Sequence, residues 1–338
     1  MLRTYLPVLL VLSAAAFVLV SQMPASAGHS LGHLVVTNKG DQTLSIIDPA
    51  TGQALAAVAE GGTTGHEVIV SPDGKTAYVP IYGNSGVGKP GTNGSNMVAI
   101  DLASRKIVGN LNFGRGVRPH CPIFNRRDGM LYVTTELDDT ISIIDPHQLK
   151  IVGTVPTGQN ESHMLAISHD GKRGYTANVG PGTVSVLDLV GRKTVTVIPI
   201  SKETQRISVS ADDKMVFTSD QTKPQLAVID TATNKIKTWV PLPGTGYGSA
   251  ATHDGKWLVI AIPPANKVAV VNLHTMKVEH VVDVPKAPQE VLLGPGDHVA
   301  YVSCDSSAKV AAIDTSTWTV KQLIAAGKGA DGLAWAAD

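Results

Sequence analysis

A short apolar run closing on Asp or Asn recurs along the chain. Its copies are Ser45–Asp48, Val98–Asp101, Ser142–Asp145, Ser185–Asp188, Ala227–Asp230, Ala269–Asn272 and Ala311–Asp314, and the closing residues lie 53, 44, 43, 42, 42 and 42 positions apart. That pitch is the period of propeller blades. The runs are β-branched and carry no 3.6-residue periodicity, which excludes a helical solenoid. Turn signals recur in the same register at Asp73-Gly74, Asp128-Gly129, Asp170-Gly171 and Asp254-Gly255, with Asp212-Asp213 and Gly296-Asp297 as variants. Asp-Gly between apolar runs predicts type I′ hairpins, with positive φ at both central residues. Each unit therefore reads as strand A, tight turn, strand B, loop, strand C ending in Asp, polar turn and strand D. Four strands per repeat make a blade, so the fold predicted is all-β: a seven-bladed β-propeller of four-stranded antiparallel blades. The Asp closing strand C is expected to cap the following turn by accepting backbone N–H groups.

The ends of the chain predict how the ring closes. His33-Leu34-Val35-Val36 aligns with strand B of later repeats, so the first blade lacks an inner strand, and residues 332–338 align with strand A. A C-terminal inner strand joining three N-terminal strands would pair the open edges. Residues 28–338 then form one domain. Residues 1–27 read as a cleaved Sec signal peptide: Arg3, an apolar stretch from Pro7 to Val20, then Ala25-Ser26-Ala27. Fourteen apolar residues fall short of the ~20 that a membrane-spanning helix needs. The expectation is a periplasmic or secreted protein with no membrane insertion after cleavage.

Charge and composition narrow the function classes. With 28 basic and 28 acidic residues the formal net charge is zero, which argues against nucleic acid as a partner. At 43% hydrophobic and 17% charged residues the chain is no disordered segment. Cys121 and Cys304 fall on well-separated blades and are expected to be unpaired.

Tyr132-Val133-Thr134-Thr135, Val35-Val36-Thr37-Asn38 and Tyr175-Thr176-Ala177-Asn178 resemble the YVTN repeat. Together with Ser71–Lys75 (SPDGK) and Asp230–Lys235 (DTATNK), they are similar to the exported YncE-like seven-bladed propellers. The resemblance spans residues 33–338 and implies the fold. It implies little about function, because the repeated residues are structural.

Candidate chemistry sits where the inner strands begin, around one mouth of the central channel. Aligning the blades on their turns places His66, Cys121, His163, Gln205, Tyr247, Gln289 and Asp331 at one ring position. Glu67, Arg206 and Glu290 follow one residue later, and His120 joins the ring if the Pro-rich run around it bends the start of its strand. Three readings apply to this ring. Polar residues can simply solvate a water-filled channel. His66, His120 and His163, from neighbouring blades, can hold copper, zinc or iron. The same histidines with Glu67, Glu290 or Asp331 can serve acid–base catalysis, of a lyase, lactonase or oxidoreductase type. The function expected is a non-catalytic binding or scaffold propeller that takes a small-molecule ligand or a protein partner at this funnel face, with the metal-dependent or acid–base enzyme as the alternative.

The longest spacing holds about eleven extra residues, mostly Gly83–Asn96, between strands B and C of blade two. Its composition predicts a flexible loop on the funnel face. As a lid it would bring Lys89 to the mouth as an anion contact. Gly83–Gly88 lacks the Gly-Lys-Ser/Thr ending of a phosphate loop, which excludes nucleotide binding there.

Overall fold

The computed structural model describes Leu2 and residues 32–338, so the expected signal peptide, Leu2 apart, and its expected cleavage site lie outside the described residues. Seven antiparallel sheets of four strands make a β-propeller, and the helices among the described residues are single 3₁₀ turns of three residues. The inner strands are Ile69–Val70, Pro119–Phe124, Ser162–Ile167, Thr204–Val209, Ser249–Ala251, Pro288–Leu293 and Ala330–Ala337. The last of these pairs with Gly32–Asn38, Leu34 facing Trp335 and Val35 facing Ala334. Blade one is therefore closed by the C-terminal strand, as the alignment of the chain ends predicts.

The strand pattern follows burial. Second strands such as Leu131–Thr135 are buried along their whole length, because each is sandwiched between adjacent blades as well as between sheet neighbours. Outermost strands such as Lys150–Pro156 alternate exposed and half-buried residues until one buried Val near the end. The apolar core is a series of inter-blade layers rather than one central mass. Ile141, Met164, Leu165, Tyr175 and Val186 share one such layer.

The repeated polar residues are structural. The closing residue of every third strand, Asp in six blades and Asn272 in the other, accepts a backbone N–H from the turn that follows, as Asp48 does from Ala50 (2.9 Å) and Asp314 from Ser316 (2.8 Å). The Asn of the YVTN-like runs ties the second strand to the third: Asn178 Nδ2 donates to Thr183 and Ser185 hydroxyls, and Asn38 to Thr43 and Ser45.

The Asp-Gly turns differ from the type I′ geometry that the dipeptide predicts. Gly74, Gly129, Gly171 and Gly255 have φ near +70°, but the Asp before each does not have positive φ. In blade two Ser71 O accepts from Gly74 N (2.9 Å), and Asp73 Oδ1 accepts from Lys75 N and from the Ser71 hydroxyl. The Asp side chain bonds the backbone two residues on, which favours a type I turn followed by a left-handed Gly. Asp213 (φ 60°) takes the Gly place in blade five.

Cys121 and Cys304 are both free and buried, in agreement with the expectation of unpaired thiols. No helix among the described residues is long and apolar enough to cross a membrane.

Candidate functional site

Backbone irregularities place the ring residues. In five blades the pairing between the inner strand and its neighbour slips at the inner strand's start. The slips fall between Pro119 and Pro122, Ser162 and Met164, Thr204 and Ile207, Pro288 and Val291, and between Ala330 and Leu333. His120 and Cys121, His163, Gln205 and Arg206, Gln289 and Glu290, and Asp331 with Gly332 are the residues within these slips. A bulge re-aims side chains at the rim of a closed sheet system, and here it turns polar residues toward the channel. Hydroxyls of second strands hold the irregular backbone. Thr37 donates to His66 O (2.8 Å), Thr134 to His163 O (2.8 Å) and Thr218 to Arg206 O (2.6 Å), while Ser303 accepts from Glu290 N (3.0 Å).

One side of the mouth is an imidazole cluster. The His120 and His163 rings lie 3.7 Å apart between centroids and are tilted by 33°, and His66 meets His120 edge-on at 5.3 Å. Tyr82 packs against all three. His120 and His163 are buried, whereas His66 is half-buried. Burial keeps all three rings neutral: it brings His66 down to about 3, and it lowers His120 and His163, with the neighbouring imidazoles adding to the effect on His120. Nδ1 of His120 is buried without a hydrogen-bond partner. His163 Nδ1 lies 3.2 Å from Glu136 Oε2, which also accepts the Tyr82 hydroxyl at 2.5 Å. The other oxygen of Glu136 accepts from Arg118 (3.2 Å).

The other side is charged. Arg206 donates to Glu67 and Glu290, each at 2.6 Å, and to Asp331 at 3.3 Å. Its guanidinium lies 4.6 Å from the Tyr247 ring centre, a cation–π contact. Lys39 bridges Asp331 (3.0 Å) and Asp305 (3.2 Å). Two cations thus meet four carboxylates, and the imbalance shows in the protonation states. Burial pushes Glu67 up to about 8 and raises Glu290, aided by the neighbouring carboxylates and resisted by Arg206. Burial also acts on Asp331, but Lys39 and Arg206 overcome it and hold that carboxyl low.

Of the residues predicted from sequence, His66, His120 and His163 come together in the cluster, and Glu67, Arg206, Tyr247, Glu290 and Asp331 come together across from it. Gln205 and Gln289 are half-buried, and Gln289 Nε2 donates to Ala287 O (3.3 Å). Cys121 faces away from the imidazoles. It packs among Tyr132, Met164 and Leu165, its thiol lies 3.6 Å from Leu165 O, and burial pushes the thiol up.

Five site residues escaped the sequence reading: Lys39, Tyr82, Arg118, Glu136 and Asp305. All but Arg118, which immediately precedes the inner strand Pro119–Phe124, stand in one register position, immediately after the second strand of their blade. Reading the position after each YVTN-like run would have found those four. The Gly83–Asn96 segment, read from sequence as flexible, is held by side chains. Asn84 Oδ1 accepts from Thr92 N (2.8 Å), and Arg118 donates to Asn93 Oδ1 (2.8 Å), Lys89 O (2.8 Å) and Gly86 O (3.4 Å). Lys89 itself is exposed.

Among the described residues no group of three or more His, Cys, Asp or Glu side chains is arranged to hold a metal ion by itself. His120 and His163 meet as tilted rings in direct contact, and with His66 they form no such group.

No curated protein matches the sequence. Solved structures share the fold at low identity. Hydrazine synthase of Kuenenia stuttgartiensis superposes with a TM-score of 0.73 at 19% identity, covering 84% of this chain and 93% of that one. A functionally unknown protein from Desulfotomaculum acetoxidans gives 0.75 at 13% identity, covering 90% and 99%. The dihydro-heme d1 dehydrogenase NirN, in complex with DHE, gives 0.66 at 14% identity, covering 92% and 77%. The family model for the cytochrome D1 heme domain matches residues 125–328, more than half of the sequence, and on that ground the chain belongs to the cytochrome D1 heme domain family.

Proposed function

We propose that this propeller is an exported binding protein that takes an iron tetrapyrrole at the imidazole side of its channel mouth. The observation that carries the reading is the cluster of His66, His120 and His163: three neutral imidazoles, one with a buried Nδ1 that has no partner. A bare metal ion needs several protein donors converging on one point, and these three histidines form no such group. A tetrapyrrole iron, most of whose donors come from the macrocycle, would need only one imidazole from the protein. Neutral rings suit that role, because an imidazolium has no lone pair to give. The family name supports the ligand class, as does the NirN neighbour, solved with DHE. When bound, such a group would supply a redox-active iron centre. The chain's own part is to hold it and shield it.

Binding is favoured over acid–base catalysis because the carboxylates are already engaged. Glu67, Glu290 and Asp331 all accept from Arg206. The YVTN-type assignment and the export reading belong to the same proposal, on the repeat residues and on the leader of residues 1–27. The test is elemental and pyridine-haemochrome analysis of untagged protein from the periplasm of the producing cells. Iron tetrapyrrole near one per chain supports the reading. Protein that comes without it and cannot be reconstituted with hemin overturns it.

A further inference from the structure

We infer that Glu136 is the positioning residue of the imidazole cluster: it fixes His163 as the tautomer protonated on Nδ1, so that the Nε2 lone pair of His163 is the nitrogen donor offered to the ligand. The donor role rests on the tetrapyrrole reading; the tautomer does not. The geometry is that of a carboxylate behind a ligating histidine, which sets ring orientation and raises basicity. Glu136 is fully buried and lies 3.2 Å from His163 Nδ1. A carboxylate oxygen only accepts, so the neutral ring must place its single proton on Nδ1, and Nε2 is left unprotonated. The geometry around Glu136 supports that role: Arg118 donates to one oxygen and the Tyr82 hydroxyl to the other, so both oxygens act as acceptors.

Arg118 makes the arrangement directional. Its guanidinium donates to Glu136 Oε1, while Tyr82 and His163 share Oε2. In Glu136→Gln the amide oxygen must face Arg118, which can only donate. The NH2 group then faces Tyr82 and His163, and its hydrogens force Nδ1 to accept. The substitution keeps size and packing but moves the ring proton to Nε2.

The experiment is long-range ¹H–¹⁵N correlation NMR of the wild type and E136Q, with the His163 signals identified by their loss in His163→Gln, beside a hemin titration of the same proteins. The expected result is Nδ1–H in the wild type, Nε2–H in E136Q, and hemin affinity at least tenfold weaker in E136Q with its thermal unfolding still cooperative. Wild-type protein showing Nε2–H at His163 overturns the inference without recourse to any variant. An E136Q protein with the tautomer inverted and hemin affinity unchanged overturns the donor role. Wild type that takes no hemin but shows Nδ1–H overturns the tetrapyrrole reading and supports the positioning by Glu136.

Discussion

Arg206 and Glu67 stand 139 positions apart in the chain and meet at 2.6 Å, both buried, inside the channel mouth. The same guanidinium nitrogen meets Glu290 at 2.6 Å, so one cation holds carboxylates from two other blades. Removing it takes the shared donor from these two carboxyls and leaves the buried Asp331 charge with Lys39 alone, which is far more damaging than losing a surface ion pair. Arg206→Leu is expected to lose about 3–5 kcal/mol in urea unfolding. A loss below about 1 kcal/mol would show that solvent already screens the site.

The pH dependence of stability separates the two sides of the mouth. Burial, with Glu290 and Asp331, pushes Glu67 up to about 8, whereas an unfolded Glu titrates near ~4.3. Between those values the folded protein keeps a proton that the unfolded chain has lost, so this contribution falls as pH rises. Burial brings His66 down to about 3. Its contribution therefore has the opposite sign, growing with pH and complete above the unfolded histidine value of ~6.5. Between pH ~6.5 and 8 the carboxyls dominate, including Glu60, pushed by burial to about 7. Wild-type stability should decline by about 1–2 kcal/mol across that interval, and Glu67→Gln should flatten part of the slope. Chemical denaturation at a series of pH values reads both, and a rising wild-type curve contradicts the assignment.

Deleting residues 331–338 removes most of the inner strand of blade one and exposes the edge of Gly32–Asn38. Loss of cooperative thermal unfolding, or of solubility, is the expected outcome. A truncated protein with the full-length melting temperature contradicts closure by the C-terminal strand.

Stability should also separate the rim from the layers behind it. His66 is half-buried, and His66→Ala is expected to cost under about 1 kcal/mol, whereas Leu165→Ala should cost about 2–5 kcal/mol by leaving a cavity in an inter-blade layer. His163→Ala falls between them, since it strips Glu136 of a buried partner, at about 1–3 kcal/mol. Equal losses at His66 and Leu165 would make His66 a packing residue.

The blades are legible because the closing Asp or Asn of strand C makes a local backbone bond in all seven repeats, and the turn Asp makes one in five. The ring residues were legible from the same register. What register could not decide was orientation within a bulge: His120 turns to the imidazole cluster and Cys121 to the core, although the two are adjacent. The partners Lys39, Tyr82, Glu136 and Asp305 were hidden because each begins a loop, and only the folded ring shows that these loops start inside the mouth. The turn geometry was misread because Asp-Gly carries two signals, and the Asp side-chain bond to Lys75 N outweighs the hairpin preference in blade two.

Iron-tetrapyrrole binding through a nitrogen of the imidazole cluster is tested by a visible-absorption titration of the purified chain with hemin. Wild type should show a saturable Soret shift at one hemin per chain, with the spectrum of an imidazole-bound iron. The His66→Ala, His120→Ala, His163→Ala triple variant, still folded by circular dichroism, should lose that spectrum. A wild type without saturable binding, or a folded triple variant that binds hemin with the same spectrum and affinity, would contradict the claim.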